Sequence, residues 1–330
     1  MDIFADLSQN LLSPAILFFF LGVLAGVAKS DLSVPDSISR YFALYLMMAI
    51  GFKGGVALAQ TPQIDGPVIV LGLAGLAFSL TMPVLGYMLL RGTTQFRRDE
   101  AAALATHYGS ISIVTFAIAI AFLQARNIDY GGYIVAIAAL KEAPAILVGL
   151  YLAHRAYRAE SAGQQQAFTP YLLRDLATNG AVILLLGSLV IGYLTGPVGH
   201  DMVAPFLIAP FQGVLCMFLL DMGLVVARQS AGLRRYTFSV WAFAVYFPIS
   251  GGVLGILVSR ALGIDIGTSF LFGVLCASAS YIAVPAALKL ALPRVEPSVY
   301  LPAVLAITFP FNVLIGIPLY FALARTVFGV

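Results

Sequence analysis

Two clusters of small polar residues interrupt otherwise apolar stretches of the sequence. The first, THYGSISIVTF, runs from Thr106 to Phe116, and the second, CASASYIAVP, runs from Cys276 to Pro285. If a helix breaks in each cluster, Ser112 and Ser280 become N-cap residues of the following half-helices, with Thr115 one turn into the first. Helix N-termini present free N–H groups and a partial positive charge. Two such ends that meet would form an anion-binding site.

A purely structural interpretation of these clusters stays open. Serine hydroxyls in membrane helices often bond to the carbonyl of the preceding turn, and small residues let helices pack closely. Two clusters at equivalent positions of a repeat, described below, favour the anion site. The residues expected to line it are Gly109, Ser110, Ile111, Ser112, Ser278, Ala279, Ser280 and Tyr281.

Ionisable and amide groups also occur inside apolar stretches. Lys141 and Glu142 lie beside Pro144 in ALKEAPAILVG, and ITFPFNVLIG carries Thr308 and Asn312. A charged side chain deep in a membrane span costs about 2.5 to 3.5 kcal/mol, so each one needs a reason. We expect Glu142 to be a cation ligand, with Thr115, Thr308 and Asn312 as oxygen donors. The alternative is an ion pair or hydrogen bond that only stabilises the helix bundle.

Two further charges, Lys53 and Asp221, occupy equivalent positions of the repeat. The simplest expectation is a mutual salt bridge that lowers the cost of placing both in the membrane, with a structural role favoured over substrate contact. His107 could relay protons or close a gate, although a lone histidine beside a helix break is more often a packing residue.

The elements that carry these residues must be membrane helices. The chain has 330 residues, of which 61% are hydrophobic and 10% charged, with a mean hydropathy of +0.97. This composition excludes soluble enzyme folds. Cys216 and Cys276 lie in apolar stretches and indicate no disulfide framework. A spanning helix needs about 20 apolar residues, which predicts ten spans near residues 14–28, 41–59, 67–90, 101–123, 131–152, 178–195, 204–226, 237–259, 267–288 and 299–324.

The basic residues give the orientation. Ten spans place thirteen of the 18 Lys and Arg residues in loops on one face and three on the other, with Lys53 and Lys141 inside spans. Basic loops stay in the cytoplasm, so both termini are predicted to be external. The N-terminus has no basic residue before its first apolar stretch and no cleavage site, so no removable signal peptide is expected.

The two halves of the chain repeat at an offset of about 168 residues. KGGVALAQ matches DMGLVVAR, and SISIVTFAIA matches SASYIAVPAA. Because each half has five spans, an odd number, the second half has the opposite orientation in the membrane. The prediction is an all-α polytopic protein of two inverted five-helix repeats, with broken helices in spans 4 and 9. The repeats are expected at residues 1–153 and 178–330, joined by a cytoplasmic linker at 154–177. Inverted repeats are typical of secondary transporters, although channels also use them.

These motifs carry a family resemblance. In KGGVALA, GSISIVTFAIA, IDYGGYIVAIAALKEAPAILV, ASASYIAVPAA, PSVYLP and IGIPLY, the chain resembles the SbtA-type sodium-dependent bicarbonate transporters of cyanobacteria over nearly its whole length. The resemblance implies a core of spans 3 to 5 and 8 to 10, a gate of spans 1, 2, 6 and 7, a homotrimer, and bicarbonate import with sodium. In that family a PII-like protein binds the cytoplasmic side. Ile113, Val114, Ala279 and Tyr281 depart from the family's pattern of sodium donors.

The sequence therefore predicts a secondary-active transporter in a bacterial cytoplasmic (inner) membrane that imports bicarbonate by sodium symport. A proton-coupled carrier of another small anion or organic acid is the alternative, and a channel or a transport-dead sensor is a third possibility. Neither enzyme activity, nor a cofactor other than the coupling sodium ion, nor nucleic-acid binding is expected.

Overall fold

The computed structural model describes residues 3–60, 65–160, 180–281, 284–285, 287–288, 292 and 295–330. Every regular element within these residues is helical. The helices are α1 (Ile3–Leu11), α2 (Pro14–Val27), α3 (Asp36–Ala59), α4 (Gly66–Thr93), α5 (Arg98–Thr106), α6 (Ile113–Gln124), α7 (Tyr133–Glu160), α8 (Gly180–Val203), α9 (Phe211–Gln229), α10 (Phe238–Ala261), α11 (Ile266–Ala277) and α12 (Leu301–Phe328).

The described helices are those of a multi-pass membrane protein. Five helical segments are long and apolar enough to cross a bilayer, namely Asp36–Ala59, Gly66–Thr93, Ile183–Arg235, Phe238–Ala261 and Leu301–Phe328. The shorter α2, α6 and α11 are apolar as well. Each predicted span overlaps a described helix, but the count of ten membrane crossings stays a prediction.

A kink in α8 marks the end of predicted span 6. Gly196 has φ 56° and ψ −148°, a backbone conformation that favours glycine, and Pro197 follows it. The sequence placed the end of this span at residue 195, next to the kink. The next residues, expected to be a loop, are helical and continue through a π-helical turn at Ala204–Ile208 into α9.

Glycines let α2 approach α9 closely. A Cβ atom at Gly22 would overlap the carbonyl oxygen of Leu220, and one at Gly223 would overlap the carbonyl oxygen of Phe19. Small residues at helix crossings let backbones come together where the lipid supplies no hydrophobic driving force.

The same arrangement occurs between α3 and α8. A Cβ at Gly192 would overlap the carbonyl oxygen of Phe52, and one at Gly55 the carbonyl oxygen of Leu189. Phe52 and Gly55 precede Leu220 and Gly223 by 168 residues, which is the offset of the sequence repeat. The α2–α9 and α3–α8 pairs are thus built from corresponding residues.

The remaining helices pack around the two polar clusters. α4 lies along α5 and α7, and α10 lies along α11. One buried apolar cluster surrounds α6 and α11, and a second joins α5 to α10 and the start of α12. Between helices, Tyr236 donates a hydrogen bond to the Val299 carbonyl (2.8 Å) and accepts one from Ala303 N–H (3.2 Å). Burial raises the pKa of this phenol, and its two hydrogen bonds hold the beginning of α12.

An unpredicted N-terminal helix, α1, completes the hydrogen bonding of α12. Pro318 has no N–H, so the carbonyls of Val313 and Leu314 lose a helical donor there, next to a π-helical turn at Asn312–Gly316. The Asn10 side chain donates to both, at 2.9 and 3.3 Å.

Some predictions lie outside the described residues. Residues 161–179 contain most of the predicted linker and of the segment that would meet a PII-like partner. The half-helix expected after Ser280 is described only at residues 284–285 and 287–288. The repeat boundaries and the orientation stay predictions.

Candidate functional site

The helix of predicted span 4 breaks at the first polar cluster. α5 ends at Thr106 and α6 begins at Ile113, with Ser112 as the N-cap. The Ser112 hydroxyl accepts hydrogen bonds from Thr115 N–H (3.1 Å) and from the Thr115 hydroxyl (2.9 Å). The predicted capping role of Ser112 is confirmed, and Thr115 is tied to it.

The segment between the two half-helices carries unused backbone donors. Within the part of the chain that the structure describes, the N–H groups of residues 109–114 donate to no protein acceptor. All six residues are buried. Buried N–H groups are rarely left without a partner, and these point to a ligand with acceptor atoms, such as an anion.

The second polar cluster follows α11, which ends at Ala277. The Ser278 hydroxyl donates to the Val274 carbonyl (2.7 Å) of the preceding turn. This bond agrees with the purely structural interpretation of this serine. Whether Ser280 caps a following half-helix stays a prediction, because residues 282–283 are outside the described range.

The two breaks contact each other directly. Ser280 N–H donates to the His107 carbonyl (2.9 Å), and His107 Nδ1 bonds to the Ser280 carbonyl. Because a carbonyl only accepts, Nδ1 carries the proton of this bond. The Tyr281 side chain interacts with Ser112, and its ring meets Phe309 edge-on at 5.2 Å between centroids. The structure therefore brings the two predicted clusters together.

Three polar side-chain atoms at the breaks lie buried without a hydrogen bond of normal geometry among the described residues. They are His107 Nε2, Ser110 Oγ and Tyr281 Oη. Leaving a buried polar group unpaired costs about 1 to 3 kcal/mol. Such groups and the free N–H donors together form a polar interior suited to a small ligand that both donates and accepts.

The predicted cation donors on α12 are hydrogen-bonded to protein. Thr308 donates to the Ala244 carbonyl (2.7 Å) and contacts the Tyr108 hydroxyl (2.8 Å). Its single proton is used on the carbonyl, so the tyrosine is the donor in the second bond.

Asn312 links α12 to the end of α11. Its Nδ2 group donates to the Ala277 carbonyl (2.8 Å), and its Oδ1 atom accepts from the Tyr320 hydroxyl (3.0 Å). Asn312 is thereby placed beside the second break.

Within the described residues, the Glu142 carboxylate makes no hydrogen bond to the other predicted cation ligands. Its side chain is buried, and among the described residues it forms no ion pair, with Lys141 or with any other cation. A cluster of three or more His, Cys, Asp or Glu side chains is likewise absent from the described residues.

A sequence model of the Na+-dependent bicarbonate transporter superfamily matches residues 14–325. The chain belongs to this superfamily. The SbtA-type resemblance seen in the sequence is confirmed, and membership of a transporter superfamily accords with the expectation that the chain is not an enzyme. None of the curated proteins matches the chain significantly.

The predicted gate ion pair of this superfamily member is wrong in the described conformation. Asp221 accepts a hydrogen bond from the Ser39 hydroxyl, whereas Lys53 Nζ lies 4.6 Å from the centroid of the Phe211 ring. Lys53 and Asp221 form no salt bridge. The physical reason is the register of the contact between α3 and α9: Asp221 lies beside Ser39, near the start of α3, whereas Lys53 lies beside Phe211, at the start of α9, so the two charges do not face each other.

Three hydroxyls around the breaks are not predicted from the sequence. Ser79 of α4 shares its hydroxyl proton between the Gly109 carbonyl (3.0 Å) and the Lys141 carbonyl, and so ties the first break to α7. Tyr108 and Tyr320 hold Thr308 and Asn312, as described above. The local signal for Ser79 is a hydroxyl within a long apolar stretch that also holds Thr81, and this does not reveal its partners.

Proposed function

We propose that this protein is a secondary-active transporter that imports a small anion, bicarbonate foremost, by sodium symport with alternating access. The observation that carries the proposal is the pair of polar breaks, which are hydrogen-bonded to each other and retain free N–H donors and unpaired buried side chains. Family membership supports both the substrate class and sodium. Discontinuous helices that meet within the membrane are how many secondary transporters hold their substrates.

The anion would lie against the N–H groups of residues 109–114. Among the described residues these donors have no protein acceptor, and Ser112 fixes the first turn of α6 beside them. At the second break, Ser280 N–H is already bonded to His107, so anion binding there requires that bond to open. The site residues proposed from the sequence, including Ile111, Ala279 and Tyr281, belong to this region.

Two inverted five-helix repeats in ten spans would supply the moving parts. The corresponding glycine contacts of α2 with α9 and of α3 with α8 support this architecture. In the proposal, the core of spans 3 to 5 and 8 to 10 carries the site past a gate of spans 1, 2, 6 and 7. A homotrimer in a bacterial inner membrane, with both termini periplasmic, completes the proposal, and a PII-like partner is a further prediction.

Sodium would bind near the breaks. Carbonyls at the C-terminal ends of half-helices are typical sodium ligands in such folds, and the end of α11 is where Asn312 bonds to Ala277. Thr115 and Thr308 supply further oxygens, and Glu142 supplies the negative charge.

Uptake into proteoliposomes tests the proposal. Radiolabelled bicarbonate uptake is measured with an inward sodium gradient, or with choline in its place, at fixed pH and clamped membrane potential. We expect uptake to follow the sodium gradient in wild type and to lose this dependence in Glu142→Gln. Glu296→Gln, which changes an exposed carboxylate outside the spans, is the matched control. Uptake that is indifferent to sodium contradicts the sodium mechanism.

A proton-coupled carrier of a small anion or organic acid is the second candidate. It is favoured by the buried Glu142, which has no cationic partner among the described residues and is suited to carry a proton. In the same proteoliposomes, an inward proton gradient without sodium would then drive uptake, and Glu142→Gln would abolish it.

A further inference from the structure

Lys141 is a membrane-embedded cation whose charge no described group neutralises. It ranks among the most completely buried large side chains of the protein, at 2% exposure. In the described part of the chain it forms neither an ion pair nor a hydrogen bond through Nζ, and the adjacent Glu142 does not pair with it. A buried charge without a partner is strongly unfavourable, so its presence calls for a charged ligand.

The backbone of Lys141 is tied to the first break. The Ser79 hydroxyl shares its single proton between the Lys141 carbonyl and the Gly109 carbonyl in a three-centre hydrogen bond. One serine thus fixes this turn of α7 against the segment with the free N–H donors.

The side chain of Lys141 extends toward the second break. Its stem passes Gly75 of α4, where an added Cβ would lie 3.6 Å from Lys141 Cδ and only 2.9 Å from Ile137. The ammonium lies 5.7 Å from the centroid of the Phe78 ring and near Cys276, one residue before the end of α11. Lys141 therefore connects the two breaks, with its backbone at one and its charge near the other.

The surrounding groups stabilise this ammonium only in part. The Phe78 ring gives a cation–π contact at the outer limit of its range, and the carbonyls at the end of α11 carry a partial negative charge. Neither supplies a full negative charge. A monovalent anion bound between the breaks would supply it.

We propose that Lys141 is an anion-binding residue, whose ammonium provides the positive charge of the site between the two breaks. This inference rests on the proposed anion transport and deepens it, because backbone N–H groups alone bind any acceptor whereas a fixed ammonium selects for anions.

Bicarbonate binding to the purified full-length protein tests this role. The Kd for bicarbonate is measured by calorimetry in detergent at constant sodium, for wild type, Lys141→Met and Lys141→Arg. Removing one partner of a buried charge pair weakens binding about 30-fold or more, so we expect that loss in Lys141→Met and partial recovery in Lys141→Arg. Lys53→Met, which removes the other intramembrane lysine, is the control and should leave the Kd unchanged.

The outcomes separate the two proposals. If wild type binds bicarbonate and Lys141→Met binds it with a Kd within twofold of the wild-type value, the proposed role of Lys141 is overturned. The proposal of anion transport is then unaffected. Wild type that neither binds nor transports bicarbonate contradicts the proposed function itself. If Lys141→Met does not fold, Lys141→Gln replaces it, since its amide keeps a polar end of similar length. A Lys141→Gln protein that retains the wild-type Kd overturns the inference equally.

Discussion

Replacing Ser112 with alanine removes the cap of α6 at the proposed anion site. The Ser112 hydroxyl accepts from Thr115 N–H at 3.1 Å and from the Thr115 hydroxyl at 2.9 Å, and both residues are buried. Losing an N-cap serine costs about 1 kcal/mol. The Thr115 hydroxyl also loses its partner, and leaving it buried and unpaired costs about 1 kcal/mol more.

The combined cost of about 2 kcal/mol falls on the first turn of α6. It corresponds to a change of about 30-fold in the equilibrium for local opening of that turn. Because amide hydrogens exchange through such openings, the Thr115 amide should exchange about 30-fold faster in Ser112→Ala. The KM for the anion should rise as well, since the free N–H groups of residues 109–114 are then less well aligned.

Hydrogen exchange followed by mass spectrometry, on peptides that cover the start of α6, measures this change in detergent. Ser112→Thr keeps a hydroxyl that can accept the Thr115 N–H and should stay close to wild type. Thr326→Ala removes an exposed hydroxyl bond to Ala322 on α12 and controls for loss of a hydroxyl elsewhere. Exchange in Ser112→Ala that stays within twofold of wild type would refute the capping argument.

Three further predictions concern the packing of the helices. Gly55→Ala should lower thermal stability and uptake because its Cβ would overlap a carbonyl of α8. Gly213→Ala, with open space around the added methyl, should leave both near wild type. Equal melting temperatures of the two variants would contradict this prediction. Lys53→Met and Asp221→Asn should show a coupling free energy within about 0.5 kcal/mol of zero in a double-mutant cycle. A larger coupling would support the ion pair that the sequence predicts. Asn10→Ala should speed hydrogen exchange at the π-helical turn of α12 by about fivefold, as expected for one net hydrogen bond of about 1 kcal/mol, and unchanged exchange would show that α1 is dispensable there.

Local patterns in the sequence predicted the interruptions of the helices well. The clusters of Gly, Ser and Thr mark the break around Gly109, and Ser112 follows the rules of N-capping because a cap depends only on residues three positions away. The end of span 6 beside Gly196 was predictable for the same reason, since glycine and proline act on their own backbone. The composition alone identified a membrane protein.

Contacts between helices were harder to predict because they depend on how the helices pack. The repeat placed Lys53 and Asp221 at equivalent positions, yet equivalence fixes a symmetry relation and not a distance. The link from Ser79 to Gly109 and Lys141 joins α4, the first break and α7, which are far apart in sequence. The bond of Asn10 to the carbonyls near Pro318 spans almost the whole chain and required the position of α1, which has no sequence signal of its own.

The central claim is that a small anion binds between the two breaks. A cryo-electron microscopy structure determined with saturating bicarbonate, compared with one determined without it, tests this most directly. We predict density for the anion within hydrogen-bond distance, about 2.7 to 3.2 Å, of N–H groups in residues 109–114, with the bond between Ser280 and His107 opened or lengthened. The claim would be contradicted if the breaks keep the Ser280–His107 bond and hold no added density under conditions in which the protein transports bicarbonate.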